Sequence, residues 1–271
     1  LAGRRRPAPT AAMHTLVGLV VVAAMAAVVA VVAAARGGEW VPRVVKNATA
    51  RETMALFGAR RGALGTRVLT FVGYSGAEYN DRRALHALLA RVLDAHDART
   101  TVVNAGATPE GIGAVYELAR KRGFRTSGVV STQALKYGGT PWARHCDFVV
   151  FVHDAAWGGR DSATGRLTPT SRAMLGVSDE LVGIGGGAVG RDEMLAAFDD
   201  YGLPLRWFAA DMNHTLAAAK ARRKGLPPPT ADALRGAAHV VLAERVCGDA
   251  NNGTLRDACG VCGGHVRADH C

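Results

Sequence analysis

The sequence predicts an α/β fold: a doubly wound, mainly parallel Rossmann-like sheet of about six strands, with an apolar N-terminal helix and a small cysteine-rich tail. Two observations predict it. Short apolar runs alternate with segments of helical periodicity, and three of these runs end in glycine-rich turns. Such alternation is typical of parallel sheets covered by helices on both faces, whose ligands bind at the carboxyl ends of the strands.

Six apolar runs are predicted as strands, because each has the length and composition of a buried strand and stops at turn residues. In chain order they cover residues 67–72, 100–103, 124–131, 147–152, 181–184 and 205–209. The segment before the first strand, residues 39–65, is charged and partly helical in its pattern.

Helices are predicted between the strands from their apolar spacing and start signals. Apolar residues recur at helical spacing within residues 80–96, at Leu85, Leu88, Leu89, Val92 and Leu93. Two later helices begin at Thr108 and Thr168, each followed by proline, a pair that favours an N-cap and the first helical position. Another begins near Gly190, directly after the fifth strand.

The composition divides the chain into six segments. They are a basic flank (1–15), an apolar segment (16–35), a linker (36–65), a Rossmann-like domain (66–219), a basic, proline-rich linker with a short helix (220–246) and the cysteine-rich tail (247–271). Residues 16–35 are uncharged and about as long as a membrane-spanning helix. A single-pass membrane anchor, a cleaved secretory or organelle-targeting leader and a buried helix all stay open.

The charge of the chain excludes nucleic acid as a partner. The formal net charge is +10 over 271 residues, but the basic residues lie in short scattered groups and only 6% of residues are aromatic. A nucleic-acid-binding surface clusters its basic residues with aromatic ones. The distribution is instead typical of solvated helix ends.

Four of the five cysteines lie in the tail: Cys247, Cys259, Cys262 and Cys271. A short cysteine-rich segment without a core is typical of a disulfide-stabilised module, which favours a membrane-attached or exported protein. A zinc site is the alternative. The tail resembles a cysteine–glycine repeat of secreted and cell-surface proteins, and the fifth cysteine, Cys146, is predicted to be a buried thiol.

Glycine-rich turns at three strand ends predict a shared anion pocket. Glycine lets backbone N–H groups approach an anion, and a helix N-terminus adds partial positive charge. The predicted ligand-binding residues of these turns are Gly73, Ser75, Gly76, Asn104, Gly106, Thr108, Gly111, Gly185, Gly186 and Gly187. Tight packing is the alternative for each turn. Neither a dinucleotide fingerprint nor a Walker lysine occurs, so no cofactor is predicted.

Charged residues follow the last glycine turn at once. Glu193 is the first candidate to stabilise positive charge or activate water, and Asp192 is the second. Arg191 is a candidate phosphate clamp. The alternative is that both acids only complement the helix dipole. Asp154, after the fourth strand, is a candidate ligand for a ribose or a water, with loop anchoring as its alternative.

Two further groups lie at the same predicted edge. Trp157 is a candidate to stack on a base. Asp211, Asn213 and His214 follow the sixth strand, but no second histidine lies at helical spacing, so no metal site is predicted.

The stretch from Met174 to Leu195 resembles the LOG-type phosphoribohydrolases and their wider SLOG superfamily. The matching residues are Met174, Ser178-Asp179, the strand at 181–184, Gly186-Gly187 and Asp192-Glu193-Met194. The departures are Gly185 in place of a proline, Val189-Gly190 in place of glycine-threonine, and Arg172 two positions nearer the methionine than the family's arginine. The resemblance covers about residues 67–214 and implies a Rossmann-like fold that hydrolyses the N-glycosidic bond of a nucleoside phosphate.

Three functions stay open. The first is binding of a nucleotide or another phosphate-bearing small molecule, with hydrolysis of its N-glycosidic bond. The second is non-catalytic nucleotide sensing on the same fold. The third is a cell-surface interaction protein in which the tail is the working part and the sheet a scaffold. A homo-oligomer is left open.

Overall fold

The computed structural model describes residues 43–64, 67–136 and 143–246. A sheet of seven parallel strands runs through these residues. The strands are β1 (Arg43–Ala48), β2 (Arg67–Gly73), β3 (Thr101–Ala105), β4 (Arg125–Ser131), β5 (Phe148–Val152), β6 (Glu180–Ile184) and β7 (Leu205–Phe208). The predicted α/β class is confirmed, with one strand more than expected.

Helices connect the strands. They are α1 (Ala50–Leu64), α2 (Arg82–Asp94), α3 (Ala114–Lys121), the short α4 (Gln133–Lys136), α5 (Pro169–Val177), α6 (Ala188–Leu195), α7 (His214–Arg223), α8 (Ala231–Arg235) and α9 (Ala237–Leu242). Local sequence explains two of these starts, whereas the helix expected at Thr108 begins only after a short 3-10 turn at Gly111–Gly113. Asp81, for example, caps α2 by accepting a hydrogen bond from the amide of Ala84 at 2.9 Å, and Thr168 precedes the proline that opens α5.

The order of the strands creates a crevice. The sheet order is β1-β5-β4-β3-β2-β6-β7. From β2 the chain adds β3, β4 and β5 on one side, then returns to place β6 and β7 on the other side of β2. The loops that leave the carboxyl ends of β2 and β6 therefore diverge, and such a switch point is where doubly wound sheets bind their ligands.

The two faces of the sheet carry different helices, because successive side chains of a strand point to opposite faces. Leu69 and Phe71 of β2 pack in one buried cluster with α2 and α3. Val68 and Val72 face the other way, toward α5 and α6. Each fully buried apolar side chain contributes about 1.5–3 kcal/mol to folding, so both faces hold the sheet.

The edge strand β1 is a finding that the sequence did not predict. Residues 43–64, assigned above to a linker, form β1 and α1. β1 pairs with β5, and Phe57 of α1 packs on Phe148 with 5.8 Å between ring centroids. The strand was missed because it carries Lys46 and Asn47, which are typical of an exposed edge rather than of a buried run.

Residues 231–245, also assigned to a linker segment, pack onto the domain. Ala238 and Leu242 of α9 are fully buried. The Tyr74 hydroxyl donates to the carbonyl of Arg235 at 2.6 Å, and the amide of Ala238 donates to the carbonyl of Gly186 at 3.1 Å. The helices α8 and α9 thereby hold the loops that follow β2 and β6.

Several predictions fall on residues outside the described ranges: the basic flank, the apolar segment 16–35, and the tail with Cys247, Cys259, Cys262 and Cys271. Within the described ranges, no helix is long and apolar enough to cross a membrane. Cys146 does lie inside them; it is buried, and that burial raises the pKa of its thiol to about 12.

Candidate functional site

A cleft of about 400 Å³ opens at the carboxyl edge of the sheet, beside the switch point between β2 and β6. Its lining is mostly apolar, with a few polar groups. The lining residues are Phe71, Val72, Gly73, Ser75, Gly76, Gly106, Ala107, Thr108, Glu110, Ile112, Val129, Val130, Ser131, Ala134, Phe151, Trp157, Thr170, Met174, Val189, Gly190 and Glu193. A mostly apolar cleft with a few convergent polar groups is the usual form of a small-molecule site.

Part of the predicted ligand set lies in this cleft. The predicted residues that line it are Gly73, Ser75, Gly76, Gly106, Thr108 and Glu193. They come from the loops after β2 and β3 and from α6, three segments far apart in sequence. Their shared position agrees with the expectation of one pocket, while a role in binding stays a prediction for each.

The surroundings of Gly73 and Gly106 show that glycine serves a different purpose at each position. A Cβ on Gly73 would collide with the Tyr79 hydroxyl and lie 2.7 Å from the carbonyl oxygen of Ile184. Gly73 is therefore required by packing. A Cβ on Gly106 would have no atom within 4 Å, so nothing in the described protein requires glycine there. Gly106 leaves backbone open to the cleft, which suits close approach of a ligand.

Gly111 joins the loops after β2 and β3 rather than lining the cleft. Its φ is +58°, and a Cβ would collide with the carbonyl of Tyr74. The next amide, that of Ile112, donates to the same carbonyl at 2.7 Å. Glycine is needed at this position for the turn and for the close approach of two backbones.

The triple glycine after β6 does not lie in the cleft lining. The amide of Gly185 donates to the carbonyl of Phe208 at 2.8 Å, and its carbonyl accepts from Trp207 Nε1 at 3.0 Å. Gly186, with φ of +127°, accepts from α9, and Gly187 is the N-cap of α6. These glycines form the turn from β6 to α6 and bind to β7 and α9 through hydrogen bonds. The residues that line the cleft follow them in α6.

Asn104 belongs to a buried hydrogen-bond network behind the cleft. Its side chain donates to Thr70 Oγ1 at 3.1 Å and accepts from Ser127 Oγ at 3.1 Å. It also reaches Met174 Sδ at 3.1 Å. The side chain of Asn104 points from β3 toward α5 and is fully buried. Its polar atoms therefore form hydrogen bonds within the protein.

Asp154 anchors the start of α5. Its carboxylate accepts from the amide of Thr170 at 2.8 Å and from that of Ala156 at 2.9 Å. Amide groups of the first helical turn have no partner inside the helix, so a carboxylate at this place stabilises the helix. Of the two roles considered for Asp154, the contacts are those of the loop anchor.

Glu193 is the buried carboxyl of the cleft. It is only 6% exposed, and Ser171 Oγ donates to its Oε1 at 2.7 Å. Burial raises the pKa of Glu193 from its ordinary 4.5 to about 7, and the charge of Asp192 adds to the rise, while the hydrogen bond from Ser171 opposes it. A carboxyl with its pKa near neutrality can both take up and release a proton at pH 7.

Asp192 and Arg191 pair with each other at the edge of α6, and neither lines the cleft. Arg191 Nη2 lies 2.7 Å from Asp192 Oδ1. Asp192 Oδ2 also accepts from the amide of Arg160 at 2.9 Å, so this carboxylate holds the loop before α5. Arg172 is exposed on α5 and is not among the residues of the cleft lining.

Three polar lining residues were missed from the sequence: Glu110, Ser131 and Thr170. Ser131 is fully buried and donates to the carbonyl of Ala156 at 2.6 Å. Thr170 follows the threonine–proline pair that was interpreted only as a helix start. One signal was present: Thr170 and Met174 are four residues apart, and residues at that spacing share a face of a helix. Trp157, predicted to stack on a base, lines the cleft and is 49% exposed.

The residues after β7 have structural partners. Asn213 caps α7 by accepting from the amide of Leu216 at 3.0 Å, and His214 Nε2 lies 3.1 Å from Asp211 Oδ2. Over the ranges that the structure covers, no three His, Cys, Asp or Glu side chains come together as a metal site.

The ionisable side chains of the described cleft lining are carboxyl groups. Two carboxyl groups, those of Glu110 and Glu193, are in the lining, and none of the described lining residues is lysine or arginine. The first turn of a helix carries backbone N–H groups without a partner inside the helix and partial positive charge, and Val189 and Gly190 of the first turn of α6 line the cleft.

Comparison with known proteins adds little. No protein-family model matches the chain, and no curated protein matches it. A crystal structure of TM1055, a structural genomics target, matches 52% of this chain and 72% of its own, at 21% identity and a TM-score of 0.38. A likeness this distant carries no functional information, and the fold class stands on the sheet described above.

Proposed function

We propose that the cleft binds a nucleoside phosphate and that Glu193 serves as the acid–base group in hydrolysis of its N-glycosidic bond. One observation carries the proposal: a carboxyl group 6% exposed, with its pKa raised to about 7, lines a cleft at the switch point of a doubly wound sheet. The resemblance of residues 174–195 to the LOG-type phosphoribohydrolases names the reaction class.

The proposed chemistry needs one water and one carboxylate. The oxygen of water bonds to C1′ of the ribose as the C1′–N bond breaks, and the bonding electrons leave with the base. The Glu193 carboxylate accepts the proton of the attacking water, and solvent protonates the base nitrogen. The carboxylate also stabilises the positive charge that develops on the sugar ring. General base catalysis of this kind contributes about 10²- to 10⁴-fold in rate.

The remaining lining supports recognition of the other parts of such a ligand. The loops that contain Gly76 and Gly106 expose backbone to the cleft, and backbone N–H groups are suited to a phosphate. Trp157 offers a half-exposed ring on which a base can stack, which is worth about 1–3 kcal/mol.

Binding is tested first. Thermal unfolding of the full chain is followed with each common ribonucleoside 5′-monophosphate, and a ligand that binds the folded state raises the melting temperature. Release of free base is then followed by chromatography.

Glu193→Gln separates binding from catalysis, because glutamine keeps the acceptor for Ser171 but cannot take up a proton. We expect retained binding and a loss of turnover of at least about 100-fold. Glu180→Gln is the matched control, a mostly buried glutamate at the opposite end of β6 that does not line the cleft. Equal turnover of Glu193→Gln and the parent would overturn the catalytic part, and binding of no monophosphate would overturn the whole proposal.

A second candidate is non-catalytic nucleotide sensing by the same cleft. It is favoured by the absence of lysine and arginine from the described lining, since catalysis on phosphate-bearing ligands commonly uses such residues to fix the phosphate. A parent protein that binds a monophosphate and releases no base in prolonged incubation supports sensing over hydrolysis.

A further inference from the structure

Two buried hydroxyl groups lack hydrogen-bond partners among the described residues, those of Thr168 and Thr170. Leaving a buried polar group unsatisfied costs about 1–3 kcal/mol, so native proteins seldom do it without a reason. The two threonines differ in their position relative to the cleft. Thr170 lines the cleft and Thr168 does not.

The backbone holds Thr170 firmly at the cleft. Its amide donates to Asp154 Oδ2 at 2.8 Å, and the residue is 2% exposed. Met174, four residues later on the same face of α5, lines the cleft as well. Threonine in a helix populates two χ1 rotamers, so its hydroxyl and methyl groups can exchange places when a ligand offers a partner.

This side of the cleft, formed by Thr170, Met174 and Glu193 and here called the α5 wall, suits an uncharged group. A phosphate placed against it would be buried beside the Glu193 carboxyl with no lysine or arginine among the described lining residues. Burial of a charged phosphate without a cation is strongly unfavourable, and repulsion adds to this cost whenever Glu193 is ionised. A sugar hydroxyl, which donates one hydrogen bond and accepts others, meets the requirement of both Thr170 and Glu193.

We propose that the α5 wall receives the sugar ring of the ligand and that the Thr170 hydroxyl pairs with a ribose hydroxyl, which makes Thr170 a determinant of specificity for ribonucleosides over deoxyribonucleosides. The inference rests on the proposed nucleoside-phosphate site and deepens it. A site built around a polar group rejects a ligand that lacks the matching hydroxyl, because the polar group is then left unpaired.

A thermodynamic cycle tests the pairing directly. The probes are the common ribonucleoside 5′-monophosphates with their 2′-deoxy and 3′-deoxy forms, titrated calorimetrically into the parent and Thr170→Val. We expect loss of one ribose hydroxyl to weaken binding to the parent about tenfold. We expect Thr170→Val to bind the ribonucleotide about as weakly as the parent binds the deoxy form that lacks the paired hydroxyl. The variant should bind the ribonucleotide and this deoxy form with equal affinity.

Thr168→Val is the matched control, since it removes a buried, unpaired hydroxyl at the start of the same helix but outside the cleft lining. Both variants are expected to unfold at or above the parent's melting temperature, because neither loses a hydrogen bond found among the described residues. We expect Thr168→Val to keep the parent's preference for the ribonucleotide.

The outcomes separate this inference from the proposal on which it rests. A parent that binds monophosphates but gives additive losses in the cycle overturns the role of Thr170 and leaves the proposed function intact. If Thr168→Val weakens ribonucleotide binding as much as Thr170→Val does, the role of Thr170 is likewise overturned and the proposed function stays intact. A parent that binds none of the probes overturns both.

Discussion

Two glutamates near opposite ends of strand β6 have pKa values that are shifted in opposite directions. Glu180, at the amino end, lies within 3.1 Å of His96 Nε2 and 2.7 Å of Arg206 Nη2. Burial raises its pKa, but the hydrogen bonds and charges of these two partners outweigh burial and lower the pKa overall. Glu193, past the carboxyl end, has Ser171 as its hydrogen-bond donor, and its pKa is raised.

The difference distinguishes a carboxyl group with a structural role from one that a ligand can reach. At the amino edge of the sheet, the charge of Glu180 is compensated by cations, and the group is ionised as part of the fold. At the carboxyl edge, Glu193 is buried without such compensation in the described structure and opens on a cleft. Burial of a carboxylate without a compensating charge lowers the stability of the fold. Carboxyl groups whose pKa values are strongly shifted cluster at functional sites.

The largest expected effect is a pH dependence of stability that comes from Glu193. Between about pH 4.5 and pH 7 the folded protein keeps a proton on Glu193 that the unfolded chain has released. Stability therefore falls as pH rises through this window, by up to about 3 kcal/mol. Glu193→Gln removes this component, which urea unfolding at about pH 5 and about pH 7.5 measures. Equal pH dependence in the parent and the variant would contradict the assignment.

Glu180→Gln is expected to act in the opposite sense. Removing the charge leaves Arg206 and His96 without their anion, which costs about 2 kcal/mol near neutral pH. The pKa of Glu180 is depressed, so its contribution exists above the unfolded value and is lost as pH falls through the folded value. Glu117→Gln, which breaks an exposed pair with Lys121, is the control and should change stability by less than about 0.5 kcal/mol.

Gly106→Ala tests whether ligands use the carboxyl edge of the sheet. The added methyl meets no protein atom within 4 Å and stands at the cleft, so we expect about tenfold weaker binding of the monophosphate, or about 1.4 kcal/mol. Gly58→Ala in α1 also adds a methyl to open space and should stabilise the protein by about 0.5–1 kcal/mol without touching binding. Unchanged affinity in Gly106→Ala would place the ligand elsewhere.

Ser171→Ala is expected to have the smallest effect and sharpens the contrast between the glutamates. The hydrogen bond from Ser171 lowers the pKa of Glu193, so its loss moves that pKa upward. The midpoint of the pH-dependent change in stability should rise by less than about one pH unit. Thr168→Val, at the N-cap of the same helix, is the control that leaves the midpoint unchanged. A downward shift in Ser171→Ala would show that another group governs the titration.

The sequence predicted strands β2 to β7 and the class of fold because each of those strands is a local apolar run with its own turn. β3 was expected at residues 100–103 and spans Thr101–Ala105, and the other boundaries differ by similar amounts. β1 was missed because the identity of an edge strand depends on pairing with β5, more than a hundred residues away. No local pattern contains that pairing.

The candidate site was predictable in its location and less so in its residues. Glu193 lines the cleft as expected, because a strand, a glycine turn and a helix fix its place at the sheet edge. The partners of Asn104 and Asp154 could not be foreseen, since they come from α5 and from β2 and β4, which adjoin β3 only in the folded sheet. Gly73 and Gly106 look alike in sequence, and only their neighbours in space distinguish packing from open backbone.

The contacts that α8 and α9 make with the loops after β2 and β6 bear on the order in which the protein matures. The carbonyl of Arg235 and the amide of Ala238 hold Tyr74 and Gly186, residues made much earlier on the ribosome. All seven strands precede these helices in the chain, but the loops after β2 and β6 gain these two hydrogen bonds only once α8 and α9 have been made. A nascent chain stopped before residue 235 therefore carries all the strands of the domain but lacks the groups that bind Tyr74 and Gly186.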